Sequence, residues 1–166
     1  MSKELHKAAG PVSVRVALLT ISDTRTEATD TSGAAIVALL EQEGHQVTAR
    51  AIVKDEPAEV TAFVAGQLRA EAQVIITTGG TGITSRDATF EALDEMLDKR
   101  LDGFGELFRM LSYADIGAAA MMSRACAGLA RGRVVIALPG SEGAVRLAMT
   151  KLVLPELGHL VQQASK

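Results

Sequence analysis

The chain has 166 residues, enough for one domain with a sizeable hydrophobic core but too few for two large domains. Its net charge of −3, with 22% charged residues, provides no basic field for binding nucleic acid. Because the chain has one cysteine, Cys126, and no apolar run near the ~20 residues of a membrane span, we expect a cytoplasmic protein without a membrane partner.

The first 100 residues predict a polar tail followed by three strand–helix units. Residues 1–10 lack the apolar centre of a secretory signal, and we expect a flexible tail there, ahead of a single domain over residues 11–166. Periodicity predicts strands at residues 14–21, 46–53 and 74–78, and a helix after each of them. The first helix covers residues 32–43, the second begins at Pro57, and the third runs from the N-cap Thr89 to about Leu97. This order predicts a parallel sheet, because neighbouring parallel strands need a crossover helix between them.

The pattern changes after Arg100. Residues 103–116 predict an amphipathic helix, and residues 123–140 predict two strands around an Arg131–Gly132 turn. From Ser141 onward the pattern is helical, and we expect Pro155 to break it into two segments, because a mid-helix proline loses a backbone hydrogen bond. The predicted fold is therefore a single α/β domain whose mostly parallel twisted sheet carries an antiparallel hairpin at one edge.

A glycine-rich loop follows the third predicted strand. The sequence TTGGTGITSRD, residues 77–87, places Gly79, Gly80 and Gly82 where an apolar strand ends. Ligands of open α/β sheets bind there, and glycines allow backbone N–H groups to approach phosphate oxygens. The loop is not a P-loop, since Ile83 follows Gly82 where lysine is required. It has only half of a dinucleotide fingerprint, since Ser85 stands at the third glycine position.

Polar residues also follow the other predicted strands. If the strands are parallel, their loops share one edge of the sheet, with Ser22, Asp55, Arg86, Asp87 and the pair Gly140–Ser141 in separate loops. Carboxylate oxygens are hard ligands for Mg²⁺, and hydroxyl and N–H groups neutralise phosphoryl oxygens. The sequence therefore predicts a phosphate and Mg²⁺ site at this edge.

Five short motifs, in one order, resemble those of a known family. They are DTSG (residues 30–33), TTGGTGITSRD (77–87), GFGELFR (103–109), SRACAG (123–128) and LPGS (138–141). Over roughly residues 14–160 the chain resembles the molybdenum cofactor biosynthesis protein B family, part of the molybdopterin adenylyltransferase group. The resemblance implies a three-layer α/β/α domain that assembles into homotrimers, or into homohexamers that are dimers of trimers.

The resemblance also implies an activity and a set of site residues. The implied reaction is Mg²⁺-dependent transfer of AMP from ATP to the terminal phosphate of molybdopterin, before a downstream protein inserts the metal. The family's catalytic and metal-binding carboxylates correspond to Asp55 and Asp87. The positions implied to bind substrate are Ser22, Thr78, Gly79, Gly80, Thr81, Gly82, Arg86, Gly140 and Ser141.

Local sequence leaves other roles open for some of these residues. Asp87 could cap the following helix, Asp55 could complement a helix dipole, and Ser22 could be a turn residue. The alternative function is a non-catalytic carrier that binds molybdopterin without nucleotide chemistry. The presence of both aspartates favours the enzyme, because a carrier has less need of Mg²⁺ ligands.

Overall fold

A six-stranded sheet in the order β2-β1-β3-β6-β5-β4 organises the chain. The computed structural model describes residues 11–166, and the predicted tail at residues 1–10 lies outside the described residues. The strands are β1 (Arg15–Ile21), β2 (Gln46–Val53), β3 (Val74–Thr78), β4 (Lys99–Arg100), β5 (Cys126–Ala130) and β6 (Arg133–Leu138). Strands β2, β1, β3 and β6 are parallel, whereas β5 is antiparallel to both β6 and β4.

The antiparallel hairpin β5–β6 is confirmed, but its predicted place at the edge of the sheet is wrong. β6 pairs with β3 on one side, and the outer side of β5 pairs with β4. Sequence periodicity could not identify β4, because a strand of two residues, Lys99 and Arg100, contains no alternation to detect. The hairpin thus joins the parallel part of the sheet to a short antiparallel edge.

Helices cover both faces of the sheet. They are α1 (Thr31–Gln42), α2 (Pro57–Leu68), α3 (Thr89–Glu95), α4 (Asp102–Ile116), α5 (Glu142–Ala148) and α6 (Leu154–Ala164). A 3₁₀ turn at Gly117–Met122 follows α4, and a π-helical turn at Met149–Val153 joins α5 to α6. No helix among residues 11–166 has both the length and the hydrophobicity needed to cross a membrane.

Alternation along the strands divides the apolar residues between two cores, as expected for a three-layer domain. On one face Leu18 packs with Ile36 of α1 and Phe108 of α4, and α5 and α6 cover the same core. On the other face Leu19 packs with Val64 of α2, and α3 contributes to that core. The predicted three-layer α/β/α architecture is therefore confirmed.

Two predicted helix boundaries differ in detail. The N-cap of α3 is Ala88, and Thr89 makes no capping bond, so the predicted capping role of Thr89 is wrong. Pro155 lies in the first turn of α6, directly after the π-helical turn at Met149–Val153 that separates α5 from α6. The helical chain therefore passes through the π-helical turn into α6 instead of stopping at the proline.

Candidate active site

The carboxyl ends of four parallel strands place the predicted loops along one edge of the sheet. Residues 22–30 follow β1, residues 54–56 follow β2, residues 79–88 follow β3, and residues 139–141 follow β6. We call these four loops the polar edge. The backbone N–H of Ser22 donates to Val53 O at 2.9 Å, and that of Gly79 donates to Leu138 O at 3.0 Å. The first bond joins the ends of β1 and β2, and the second joins the ends of β3 and β6, so neighbouring loops begin close together.

Packing within the protein explains two of the loop glycines. Gly79 and Gly80 have φ angles of +92° and +68°, which L side chains rarely adopt. A Cβ atom at Gly79 would collide with the backbone oxygen of Ile21. A Cβ at Gly80 would lie 2.9 Å from Cγ2 of Thr89. The bare backbone therefore allows the loop to pass tightly between β1 and α3.

The same loop keeps unused hydrogen-bond donors. The N–H of Gly79 is bonded to Leu138, whereas those of Gly80, Thr81 and Gly82 donate to no group among residues 11–166. All three residues are at least partly accessible to solvent. Backbone N–H groups of this kind can bind anionic oxygens.

Asp87 closes the turn at the end of the glycine loop. Its Oδ2 accepts hydrogen bonds from the backbone N–H and the hydroxyl of Thr84, both at 2.7 Å. These bonds, led by the one from the Thr84 hydroxyl, lower the pKa of the Asp87 carboxyl below its ordinary value. A Cβ on Gly82 would collide with the same carboxylate. Asp87 is therefore a charged turn residue, and it does not cap α3.

Asp55 is held by one group from the loop after β1 and one from the start of α3. Its backbone N–H donates to Oδ1 of Asp23 at 3.0 Å, and its own Oδ1 accepts the hydroxyl of Thr89 at 2.6 Å. Asp23 Oδ2 also accepts a hydrogen bond from Arg86 Nη2 at 2.9 Å. Asp23 thus bridges the loop that carries Asp55 to the loop that carries Asp87.

Arg124 holds the glycine loop from its other side. Its guanidinium donates to the backbone oxygens of Thr81, at 3.2 Å, and Gly82, and it pairs with Glu91 of α3. It also lies over the Phe90 ring, 4.5 Å from the centroid. The bond from Arg124 lowers the pKa of the Glu91 carboxyl. Two carbonyls of the loop are therefore occupied, while the N–H groups of residues 80–82 stay available to a ligand.

A small polar cavity of about 120 Å³ lies beside the ends of β1 and β3. Its lining includes Ser22, Thr78 and Gly140 from the predicted substrate-binding set, together with Arg25 and Asp30. A second cavity, of about 280 Å³, borders Pro139 and Ser141 between α4 and α5. The polar edge thus offers a polar cavity and a larger one with more apolar lining.

Several predicted ligand hydroxyls already make hydrogen bonds within the protein. Thr78 donates to Pro139 O at 2.9 Å, and Ser141 Oγ caps α5 by accepting from Ala144 N. Ser22 Oγ accepts from two backbone N–H groups of its own turn. These three hydroxyls therefore shape the loops, whatever they contribute to a ligand.

Sequence reasoning did not assign Asp23, Thr89 or Arg124 a role in holding the loops of this edge. The motif SRACAG contains Arg124, and Thr89 follows the motif TTGGTGITSRD by two residues, yet neither position indicates which distant loop the side chain contacts. Asp23 is adjacent to the predicted Ser22, but its bridging role depends on the pairing of β1 with β2. These contacts appear only when the strands are assembled.

The oxygen ligands at the polar edge fit a hard divalent cation. Asp55 Oδ2 and Asp87 Oδ1 accept no hydrogen bond within residues 11–166, so each carboxylate has one free oxygen. No group of three or more His, Cys, Asp or Glu side chains in this described part is placed to hold a metal. Mg²⁺ sites at phosphate chains use one or two carboxylates and complete their coordination with phosphate and water. The two aspartates satisfy that requirement in donor type.

Comparisons with known proteins identify relatives of this chain. Residues 17–159 match the model of a family described as "Probable molybdopterin binding domain". Molybdenum cofactor biosynthesis protein B of Bacillus cereus is 54% identical over 162 residues, 96% of each chain. The same-named protein of Bacillus subtilis is 48% identical over 168 residues, covering all of this chain and 99% of its own.

Solved structures show the same fold. A crystal structure of molybdenum cofactor biosynthesis protein B superposes with a TM-score of 0.88 at 53% identity, covering 92% of this chain and 96% of the other. The tungsten cofactor synthesizing protein MoaB of Pyrococcus furiosus gives a TM-score of 0.85 at 35% identity, covering 94% and 99%. With motifs, fold and sequence in agreement over nearly the whole chain, this protein belongs to the molybdenum cofactor biosynthesis protein B family, of the MoaB/MogA type.

Proposed function

We propose that the protein transfers AMP from ATP to the terminal phosphate of molybdopterin. One observation carries the proposal: within residues 11–166, one carboxylate oxygen of Asp55 and one of Asp87 have no partner, and neither do the N–H groups of residues 80–82 at the same edge. Together these groups supply both kinds of partner that a phosphoryl transfer requires, anionic metal ligands and neutral donors to phosphate oxygens. Membership of a family that makes the molybdenum cofactor supplies the substrate class.

In the proposed reaction a phosphate oxygen of molybdopterin attacks the α-phosphorus of ATP, the bond to the β-phosphate's bridging oxygen breaks, and pyrophosphate leaves. A phosphate nucleophile is already anionic, so the protein's task is to position groups and balance charge. The N–H groups of residues 80–82 bind phosphate oxygens. The Arg86 side chain lies at the same edge, pairs with Asp23 and is 70% exposed, so its guanidinium can contact a further phosphate group.

Asp55 and Asp87 hold Mg²⁺ in this proposal. The cation, when bound, neutralises the triphosphate and lowers the repulsion between two anionic substrates. The carboxyl of Asp87 is ionised at neutral pH, and the two Thr84 hydrogen bonds, which also lower its pKa below the ordinary value, hold it in one orientation. Asp55 and its loop are kept in place by Thr89 and Asp23. We place the reaction in the cytoplasm, in line with the single free cysteine.

We further propose that the chain works as a homotrimer or as a dimer of trimers. Four large apolar side chains on α4 are exposed at three-residue intervals, so that each neighbours the next in a stripe that winds partly around the helix: Leu107, Met110, Tyr113 and Ile116. Exposed Met121 and Met122 extend this α4 stripe into the 3₁₀ turn. Contiguous apolar surface of this kind favours association.

Met110→Glu should yield monomers, as measured by light scattering, because it places a charge within the α4 stripe. The change Glu106→Gln, at a neighbouring exposed position, should keep the assembly.

A second candidate is a carrier that binds molybdopterin and performs no transfer. The observation that favours it is the engagement of Asp87 Oδ2 by Thr84, which gives this aspartate a complete role as a turn residue. In the carrier the two cavities hold the pterin, and a downstream metal-insertion protein receives it.

The deciding experiment incubates the purified protein with molybdopterin, ATP and Mg²⁺ and detects adenylylated pterin and pyrophosphate by mass spectrometry. We expect both products in equal amounts, their loss with EDTA, and none from an ATP analogue with a methylene bridge between the α- and β-phosphates. Tight binding of molybdopterin by folded protein without any product would establish the carrier instead.

A further inference from the structure

Thr89 is a fully buried polar residue that contacts two loops of the polar edge at once. It begins α3, two residues after Asp87. Its hydroxyl donates to Oδ1 of Asp55 at 2.6 Å, across a separation of 34 residues in sequence. Its methyl Cγ2 lies 2.9 Å from where a Cβ on Gly80 would be. One side chain therefore connects the aspartate that follows β2 with the glycine turn that follows β3.

Helix formation does not account for the Thr89 hydroxyl. The cap of α3 is Ala88, and no side chain caps this helix. The separation of 2.6 Å falls in the range of hydrogen bonds from a hydroxyl to an ionised carboxylate, which are about twice as strong as neutral ones. Because the bond uses Oδ1, it leaves Oδ2 of Asp55 as the oxygen with no partner among the residues that the structure describes.

We infer that Thr89 is a positioning residue: its hydroxyl sets the orientation of the Asp55 carboxylate. The inference rests on the proposed function, since it assigns Asp55 to the metal. A metal ligand must be held within a fraction of an ångström, and an error of about 1 Å can cost about 100-fold in rate. Burial makes Thr89 suited to this task, because its side chain has no room to adopt other positions.

Two substitutions separate the hydroxyl from the methyl. Thr89→Val keeps the branched shape and replaces the hydroxyl by a methyl group, which cannot approach a carboxylate oxygen as closely as 2.6 Å, so Asp55 must turn away. Thr89→Ser keeps the hydroxyl and removes the methyl beside Gly80. If Thr89→Val fails to fold, as judged by circular dichroism and thermal unfolding, Thr89→Ala replaces it in the comparison with Thr89→Ser.

The test measures Mn²⁺ binding in the presence of ATP by electron paramagnetic resonance, which does not depend on product formation. We expect Thr89→Val to weaken Mn²⁺ binding about 10-fold or more and to lower kcat with little change in the KM for molybdopterin. Thr89→Ser should stay within about 3-fold of the wild type in Mn²⁺ binding and kcat. Equal effects of the two variants, or wild-type binding by Thr89→Val, would overturn the inference.

The proposed function and this inference fail in different ways. If the wild type makes no adenylylated product but Thr89→Val still weakens Mn²⁺ binding and Thr89→Ser does not, the transferase proposal falls and the positioning role stands. If the wild type makes product while both variants bind Mn²⁺ as it does, the transferase stands and the positioning role falls. A wild type that binds no Mn²⁺ with ATP overturns the assignment of Asp55, and the inference with it.

Discussion

The aspartate at the start of α1 and the two aspartates of the polar edge show what distinguishes a supporting carboxylate from one able to bind a ligand. Asp30 is 2% exposed, and both of its oxygens are used: Oδ1 by the N–H of Gly33, and Oδ2 by Thr20 and Arg50. Asp55 and Asp87 are partly exposed, and each uses one oxygen only. All three follow strands at the same edge, so position in the sheet does not separate them; hydrogen-bond saturation does.

The largest expected effect comes from removing the charge of Asp87. Asp87→Asn should lower kcat by about 100-fold or more and leave molybdopterin affinity within a few-fold, because the side chain keeps its shape and loses a metal ligand. Product formation and isothermal titration with molybdopterin measure the two quantities. Asp102→Asn, at an exposed aspartate in the first turn of α4, is the matched control. Parallel losses of binding and turnover would instead assign Asp87 to the loop's structure.

Asp30→Ala should lower the stability of the fold much more than it lowers kcat. It removes the cap of α1 and leaves Thr20 and Arg50 without their buried partner, which we expect to cost about 3 kcal/mol in the free energy of unfolding. Urea unfolding measures this, with kcat determined well below the melting temperature. A variant that unfolds like the wild type but has lost turnover would break the distinction drawn between Asp30 and the polar-edge pair.

Substituting Gly80 should have an effect of intermediate size, and Gly66 in α2 provides a matched control. Gly80→Ala should cost about 1–2 kcal/mol of stability and weaken molybdopterin binding, because the positive φ strains alanine and its Cβ presses on Thr89. Gly66→Ala, inside α2 with open space around it, should stabilise by about 0.5–1 kcal/mol. Thermal unfolding and pterin titration of both variants test this. Unchanged affinity in Gly80→Ala would argue against a ligand at the glycine turn.

The smallest effect concerns the titration of Asp87. Thr84→Val removes the hydroxyl bond and keeps the backbone bond, so the Asp87 pKa should rise toward its ordinary value of 3.8 without fully reaching it. Because the pKa of Asp87 is lowered in the folded state, its ionisation stabilises the fold at pH values above the ordinary pKa. This contribution to stability is lost as the pH falls through the pKa of the folded state. Carboxyl carbon NMR measures the shift, and Ser85→Ala is the control that should leave it unchanged.

Turnover of Thr84→Val at neutral pH should stay within a few-fold of the wild type, because Asp87 is ionised in both proteins there. A large loss at pH 7 would show that Thr84 does more than hold a charge. Such a result would place the turn from Gly82 to Asp87 among the groups that contact the substrate.

Much of the fold was predictable because it depends on local pattern. The continuous apolar run of β3 predicts a buried central strand, and Val74–Thr78 is buried at every position. Gly44 follows the C-cap of α1 with a φ of +81°, a conformation that suits a glycine at that position. The two-residue β4 and the π-helical turn were not predictable, since short or irregular elements depend on the neighbours they pair with.

The sequence by itself determined the order of strands and helices, the glycine turn, the family and the aspartates that the polar edge presents, because apolar periodicity and short motifs are local properties. Only the tertiary structure decided which groups hold them: Asp23 between Asp55 and Arg86, Thr89 on Asp55, and Arg124 on the glycine loop. These bonds join residues more than thirty positions apart, and no local pattern specifies them. They form where parallel strands bring separate loops to one edge of the sheet.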